Sequence, residues 1–208
     1  MIVKRRNGLP HTTKVVCIRP NDFMKTLITA ISPEDFSKLI RKTRKKHFKV
    51  AFLLGFGSGM RLSEIVGGYR KDGSIIEALT EDRVYIEERK IKVIGGKGRT
   101  DRIVPLPKGF KEYMLKMLPL NKTYKNILSA RRSMQRGFKT AARRAGILKK
   151  NPKLHFHSLR HGFGTQSANQ GMPIHHIKTL MGHSNISTTN CYLESNPKKA
   201  LESYQELF

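Results

Sequence analysis

The sequence predicts an α+β fold, mainly helical, with one small three-stranded antiparallel sheet. Three observations predict it. Apolar residues recur at helical spacing behind good helix starts through most of the chain. A single stretch, Val84 to Val104, alternates apolar and polar residues with glycine-rich turns between. Hydrophobic residues make up 38% of the 208, enough to bury one core.

Residues 1–30 read as a basic N-terminal extension, with Lys4, Arg5, Arg6, Asn7, Gly8 and Pro10 at its start and a short helix near Phe23 to Ile28. The domain proper, residues 31–208, opens on a helix: Ser32 is a good N-cap, Pro33 suits the first helical position, and Phe36, Leu39 and Ile40 follow at helical spacing. A second helix carries Phe48, Phe52 and Phe56; Gly57, Ser58 and Gly59 break it, and Arg61 opens a short third. Residues 67–80 read as a loop, and the run from Gly67 to Ile76 has no assigned role. Val84 and Ile86, then Ile91 and Val93, make two strands. Gly95, Gly96 and Gly98 mark the next turn with Lys97 at its centre, and Ile103 and Val104 start a third strand.

The remainder is predicted helical. From Ala130 to Ala145, one stripe holds Ala130, Met134, Phe138, Ala141 and Ala145, and another holds Arg132, Arg136, Lys139 and Arg143. One face can bury while the other meets phosphates. Helices from Ser158 to Gln170 and from Pro173 to Met181 are each closed by a glycine, Gly171 and Gly182. A short helix is expected to carry Tyr192, and a last one to span 196–208.

Charge bounds the partner. Lys and Arg total 41 against 15 Asp and Glu, a formal net charge of +26 spread along the chain. A folded domain this basic calls for a polyanion; double-stranded nucleic acid comes first and an acidic membrane surface second. No apolar run of spanning length and no signal-peptide pattern is present. Two cysteines, Cys17 and Cys191, are too few for a disulfide framework and fit a reduced, cytoplasmic setting.

The candidate chemistry lies mostly in the last third. His157 and Arg160 are three apart, so a helix sets them on one face. His183 follows the glycine that ends a helix, and Tyr192 lies nine residues beyond it. Arginine grips phosphate through two parallel hydrogen bonds, histidine moves protons near neutral pH, and a phenol among cations becomes a nucleophile. This set suits attack on a phosphodiester without a metal. Histidines cluster here, and His157 and His161 have helical spacing for zinc. The glutamate of a zinc-protease helix is absent, however, and Cys191 has no cysteine partner nearby. Gly95-Gly96-Lys97-Gly98 is not a P-loop, since no Ser or Thr follows the lysine. No cofactor is expected.

His157-Ser158-Leu159-Arg160-His161 resembles the histidine–two residues–arginine box of tyrosine recombinases of the phage-integrase family. Leu180-Met181-Gly182-His183-Ser184-Asn185-Ile186-Ser187-Thr188-Thr189 resembles the segment before their nucleophile, which makes Tyr192 the expected tyrosine. Gly57-Ser58-Gly59-Met60-Arg61-Leu62-Ser63-Glu64 resembles the box of the first catalytic arginine. Gly96-Lys97-Gly98 followed by Arg102-Ile103-Val104-Pro105-Leu106 resembles the lysine hairpin. The match runs from about Ser32 to the end.

The resemblance implies the catalytic-domain fold of that family and a DNA-cleaving and -rejoining recombinase or integrase. Arg61 and Arg160 would hold the scissile phosphate, and Tyr192 would form a 3′-phosphotyrosyl bond. Lys97 would be the general acid, His157 would assist proton transfer, His183 would bond the phosphate, and Glu64 would orient an arginine. Neither divalent metal nor ATP is implied. Arg99, Arg102, Arg132, Arg136, Lys139, Arg143 and His161 are the expected DNA-contact residues. It further implies a homotetramer on DNA, accessory DNA-bending proteins as further partners, and a prokaryotic host, with a virus, plasmid or other mobile element as the source. A type IB topoisomerase-like or telomere-resolvase-like strand transferase, and a catalytically silent DNA-binding accessory protein, stay open as alternatives. The family's separate N-terminal helical domain has no counterpart in residues 1–30. Met1 reads as a true start, with a fragment as the other reading. Gly164 stands where the family usually has a small alanine.

Overall fold

The computed structural model describes residues 29–95 and 101–182. The expected helices near Phe23 to Ile28, around Tyr192 and over 196–208 lie outside the described residues, as does the turn tip bearing Lys97.

Helix α1 (Pro33–Lys42) starts as its sequence requires. The Ser32 hydroxyl accepts from the Asp35 N–H at 3.2 Å, Pro33 takes the first turn, and Arg41 and Lys42 close the last. Helix α2 (Lys46–Gly57) buries Val50, Ala51, Phe52 and Leu54. Phe36 stacks on Phe56 with centroids 4.0 Å apart, joining α1 to α2. Phe52 meets Phe138 and Phe156 edge-on at 5.7 and 5.9 Å, tying α2 to the helices described below.

Helix α3 (Leu62–Val66) follows the glycine break. The loop expected over 67–80 contains an antiparallel pair instead: β1 (Gly68–Tyr69) lies against β2 (Ile75–Ile76), with Gly68 opposite Ile76. The Asp72 carboxylate accepts from the Ser74 N–H at 3.0 Å, and Gly73 supplies φ 79°. Gly68-Tyr69 and Ile75-Ile76 sit among glycines and charged residues with no apolar–polar alternation, which is why the run reads as a loop.

The expected sheet has the order β3-β4-β5, from β3 (Val84–Tyr85), β4 (Lys90–Val93) and β5 (Arg102–Pro105). Ile91 pairs with Val104 and Val93 with Arg102. Ile91, Val93 and Val104 face the core, while Lys92 and Ile103 point outward. A six-residue 3₁₀ helix (Glu112–Met117) leads to α4 (Ile127–Arg144), where Asn126 caps the Ser129 N–H at 2.8 Å. The predicted α4 stripe is buried through Ala130, Met134, Phe138 and Ala141. Gly137 sits on the same side because a Cβ there would come within 2.5 Å of the Phe48 ring, so the missing side chain lets α2 approach α4.

A four-residue α5 (Ile147–Lys150), then α6 (His157–Asn169) and α7 (Ile174–Met181), complete the described chain. Gly182 ends α7 with φ 61°, the left-handed cap the sequence predicted. The main core lies between α2, α4 and α6 and the inner face of the sheet; Phe163, Ile177 and Met181 form a small second core under α7. The architecture is the predicted one, mainly helical with a three-stranded antiparallel sheet, plus the unforeseen two-stranded hairpin.

Candidate active site

Arg61 begins the site as the N-cap of α3. Its backbone N–H donates to the Glu64 carboxylate at 2.7 Å, and its guanidinium donates to the same group at 2.9 Å. A carboxylate at this position satisfies an orphan donor of the helix start. Glu64 also receives a two-pronged bond from Arg102 of β5, at 3.0 and 2.8 Å. One carboxylate thus joins two arginines from α3 and β5. Burial alone would raise the Glu64 carboxyl; the Arg102 hydrogen bonds and the charges of Arg102 and Arg61 outweigh it and hold it at about 2.

Three arginines converge on the end of α7. Arg102 Nε donates to the Leu180 carbonyl at 2.8 Å, Arg160 to the Met181 carbonyl, and Arg61 to the Gly182 carbonyl at 2.9 Å. The last carbonyls of a helix lack internal partners and favour cations. Arg160 also donates to the Gly59 carbonyl, so it ties the Gly59–Arg61 turn to α7. The clamp fixes where the chain leaves α7, one residue before His183.

Arg61 and His157 stand on the wall of a cleft of about 490 Å³. Arg131, Gln135 and Lys139 of α4 form the facing wall, with His155 at the rim. Arg160, one turn along α6 from His157, is 2% exposed and is not among the residues lining the cleft; its guanidinium is held on the Gly59 and Met181 carbonyls. His161 packs edge-on to His157 at 4.7 Å. His157 is exposed at the surface, yet the groups packed around its ring take water from the charged form. With the nearby charges of Arg160, His155 and Arg61, this lowers its pKa to about 4. The imidazole is therefore neutral at pH 7, though a weaker base than an ordinary histidine, so it can take up a proton only transiently. By NMR, its titration midpoint in the free protein is expected near 4, not the ordinary 6.5. The unfolded chain takes the proton first, so His157 opposes folding progressively as pH falls from 6.5 through about 4. A midpoint at 6.5 or above would contradict this environment.

A family model described as "Phage integrase family" matches residues 22–199. The chain belongs to that family. This integrase-family chain is 30% identical over 184 residues to "Tyrosine recombinase XerA" of Thermococcus kodakarensis, across 84% of the chain and 61% of that relative. It is 28% identical to "Tyrosine recombinase XerC-like" of Caldanaerobacter subterraneus, across 96% of the chain and 60% of the relative. The chain thus spans about three-fifths of the length of these curated relatives. The fold is shared with a crystal structure of XerA recombinase (TM-score 0.60, 24% identity, 85% of this chain and 64% of that one). It is also shared with the catalytic domain of bacteriophage HP1 integrase (TM-score 0.56, 23% identity, 85% of this chain and 93% of that one).

Most DNA-contact candidates of the integrase-family chain lie on α4. Arg132, Arg136 and Arg143 are exposed, and with Lys139 they border a hollow of about 570 Å³. Lys139 also donates to the Pro152 carbonyl at 3.2 Å. Arg102 is placed differently from its expected outward role. Its side chain is 8% exposed and committed to Glu64 and Leu180, because its β5 position faces α3 and α7. Lys97, Arg99, His183 and Tyr192 lie outside the described residues. Among the described residues no three His, Cys, Asp or Glu side chains converge as a metal site would need, and no helix is long and apolar enough to cross a membrane.

Pattern reading missed Arg131, Gln135 and His155. The first two flank the predicted basic stripe of α4, and only the packing of α4 beside α3 shows that they face the cleft. His155 was visible in the histidine cluster, two residues before His157, but precedes the helix and so escaped a rule based on helical faces.

Proposed function

We propose that residues 31–208 are the catalytic domain of a site-specific DNA recombinase or integrase that breaks and rejoins strands through a 3′-phosphotyrosyl bond at Tyr192, without metal or ATP. The observation that carries this reading is a cleft lined by Arg61 and His157 opposite basic residues of α4, with the Arg61 guanidinium also held on the Gly182 carbonyl at the end of α7. Such a cleft favours a phosphodiester, and His183 and Tyr192 follow in sequence the glycine that Arg61 holds.

In this reaction Arg61 and Arg160 balance the charge that builds on the non-bridging oxygens. His157 takes the phenol proton as the Tyr192 oxygen attacks phosphorus. The bond from phosphorus to the 5′ oxygen breaks, and Lys97 protonates that oxygen. His183 donates to the phosphate. In rejoining, a 5′ hydroxyl attacks the phosphotyrosyl group and returns the phenol, so bond energy is conserved and no nucleotide is consumed. Arg132, Arg136, Lys139 and Arg143, with Arg99 and His161, contact duplex DNA. The working form on DNA is a homotetramer, aided by accessory DNA-bending proteins, in a mobile element or virus of a prokaryotic host. Tyrosine-recombinase relatives and the XerH recombinase solved bound to difH DNA (TM-score 0.64, 18% identity, 86% of this chain and 53% of that one) support the reading.

A duplex nicked near the cleavage site tests it. The protein is expected to trap such DNA covalently in the presence of EDTA, and peptide mapping should find the phosphate on Tyr192. An adduct on another residue, or none over a library of sites, would overturn the proposal.

A further inference from the structure

The concave surfaces around α4 share walls. The cleft beside Arg61 and His157 includes Gln135 and Lys139; the hollow over α4 includes both, and also Arg136 and Thr140. A third hollow, of about 420 Å³, takes Arg136 and Thr140 as one wall and the α1–α2 turn as the other. The three adjoin one another along α4, from the cleft on one flank to the turn on the other.

The far hollow is strongly basic. Lys42, Arg44, Lys45, Arg136 and Arg144 line it, and no acidic residue does. Its shape is set by buried contacts. The Thr43 side chain is buried and donates to the Leu39 carbonyl at 2.7 Å, which holds the turn against the end of α1. Phe48 packs onto Gly137, which holds α2 close to α4. The cations therefore project from a fixed frame.

An α-helix with its side chains is about 10–12 Å across, and the major groove of B-DNA is about 12 Å wide. With the exposed ridge of α4 (Arg132, Arg136, Arg143) in that groove, the two phosphate backbones that border it meet the two flanks of the helix. One flank is the catalytic cleft. The other is the basic hollow at the α1–α2 turn.

We propose that Lys42, Arg44 and Lys45, with Arg144, form a phosphate anchor for the DNA strand opposite the one bound in the cleft. The inference rests on the strand-transfer reading for the identity of the polyanion, and not on the chemistry at Tyr192. The anchor holds the duplex across the major groove, so a single domain grips both backbones.

The test uses the full chain, as wild type and as the Lys42→Ala/Arg44→Ala/Lys45→Ala variant, binding duplex DNA over a range of salt. Each lost phosphate contact removes about 0.9 from the slope of log affinity against log salt, so the slope should fall by about 2 to 3. A second measurement needs no variant of unknown fold. Duplexes with neutral methylphosphonates on one strand are bound to the wild-type protein. Neutralising the uncleaved strand across the major groove from the nick should weaken binding. An unchanged salt slope overturns the anchor, as does sensitivity confined to the cleaved strand. Failure of the wild type to form any tyrosine adduct overturns the strand-transfer reading instead, while the slope and the methylphosphonate result still decide the anchor.

Discussion

Arg61→Ala is expected to slow covalent trapping of nicked duplex by about 10²–10³-fold under single-turnover, DNA-saturated conditions, the scale seen when one donor to a developing oxyanion is removed. The fold is expected to survive. Arg61 is a partly exposed side chain on the cleft wall, and without it Glu64 keeps its two-pronged partner Arg102. The Gly182 carbonyl loses its donor, but Leu180 and Met181 stay clamped by Arg102 and Arg160. Circular dichroism and urea unfolding should therefore stay close to wild type while the rate falls. Arg61→Lys keeps the charge without the planar fork, so it should recover only part of the rate. A variant that folds and traps DNA at the wild-type rate would remove Arg61 from the chemistry.

Glu64→Gln is expected to act the other way, on stability first. Its carboxylate is 7% exposed and satisfies the Arg102 guanidinium at two points and Arg61 at another. Arg102, 8% exposed, would be left as a buried cation facing a neutral amide. Breaking a buried ion pair by removing one partner costs about 3–5 kcal/mol, and the midpoint of urea unfolding should drop accordingly with an unchanged slope. The pH dependence follows from the depressed carboxyl. The stabilisation is complete above the ordinary value of 4.5 and is lost as pH falls through about 2. The wild type should therefore lose stability over that acid range, and Glu64→Gln should lose less of it. Equal unfolding midpoints at pH 7 would mean that the Glu64–Arg102 pair contributes nothing to the fold.

Local rules recovered much of the fold. Ser32 and Pro33 start α1 where the capping pattern put them, Gly182 ends α7 as a left-handed cap, and the α4 stripe is buried on the predicted side. These features depend on groups within about one helical turn of each other, and that information is contiguous in the chain. The β1–β2 pair escaped because the residues around Gly68-Tyr69 and Ile75-Ile76 do not alternate as those around Val84 do. For the site, residue types at His157 and Arg160 pointed to phosphate chemistry, and the family resemblance added Arg61 and Glu64. Their partners could not be read, since Arg160 reaches back to Gly59 and Arg61 forward to Gly182.

By itself the sequence determined the order of the longer helices and of the three strands of the main sheet, the net positive charge and the family boxes, because each is a property of composition or short spacing. Tertiary structure alone decided that Arg102 turns inward, that Arg131 and His155 join the cleft, and that three arginines meet three successive carbonyls at the end of α7. The physical reason is that a buried charge goes where a partner can replace its lost water. The partner of Arg102 lies 38 residues away, on another element, and only packing brings the two together.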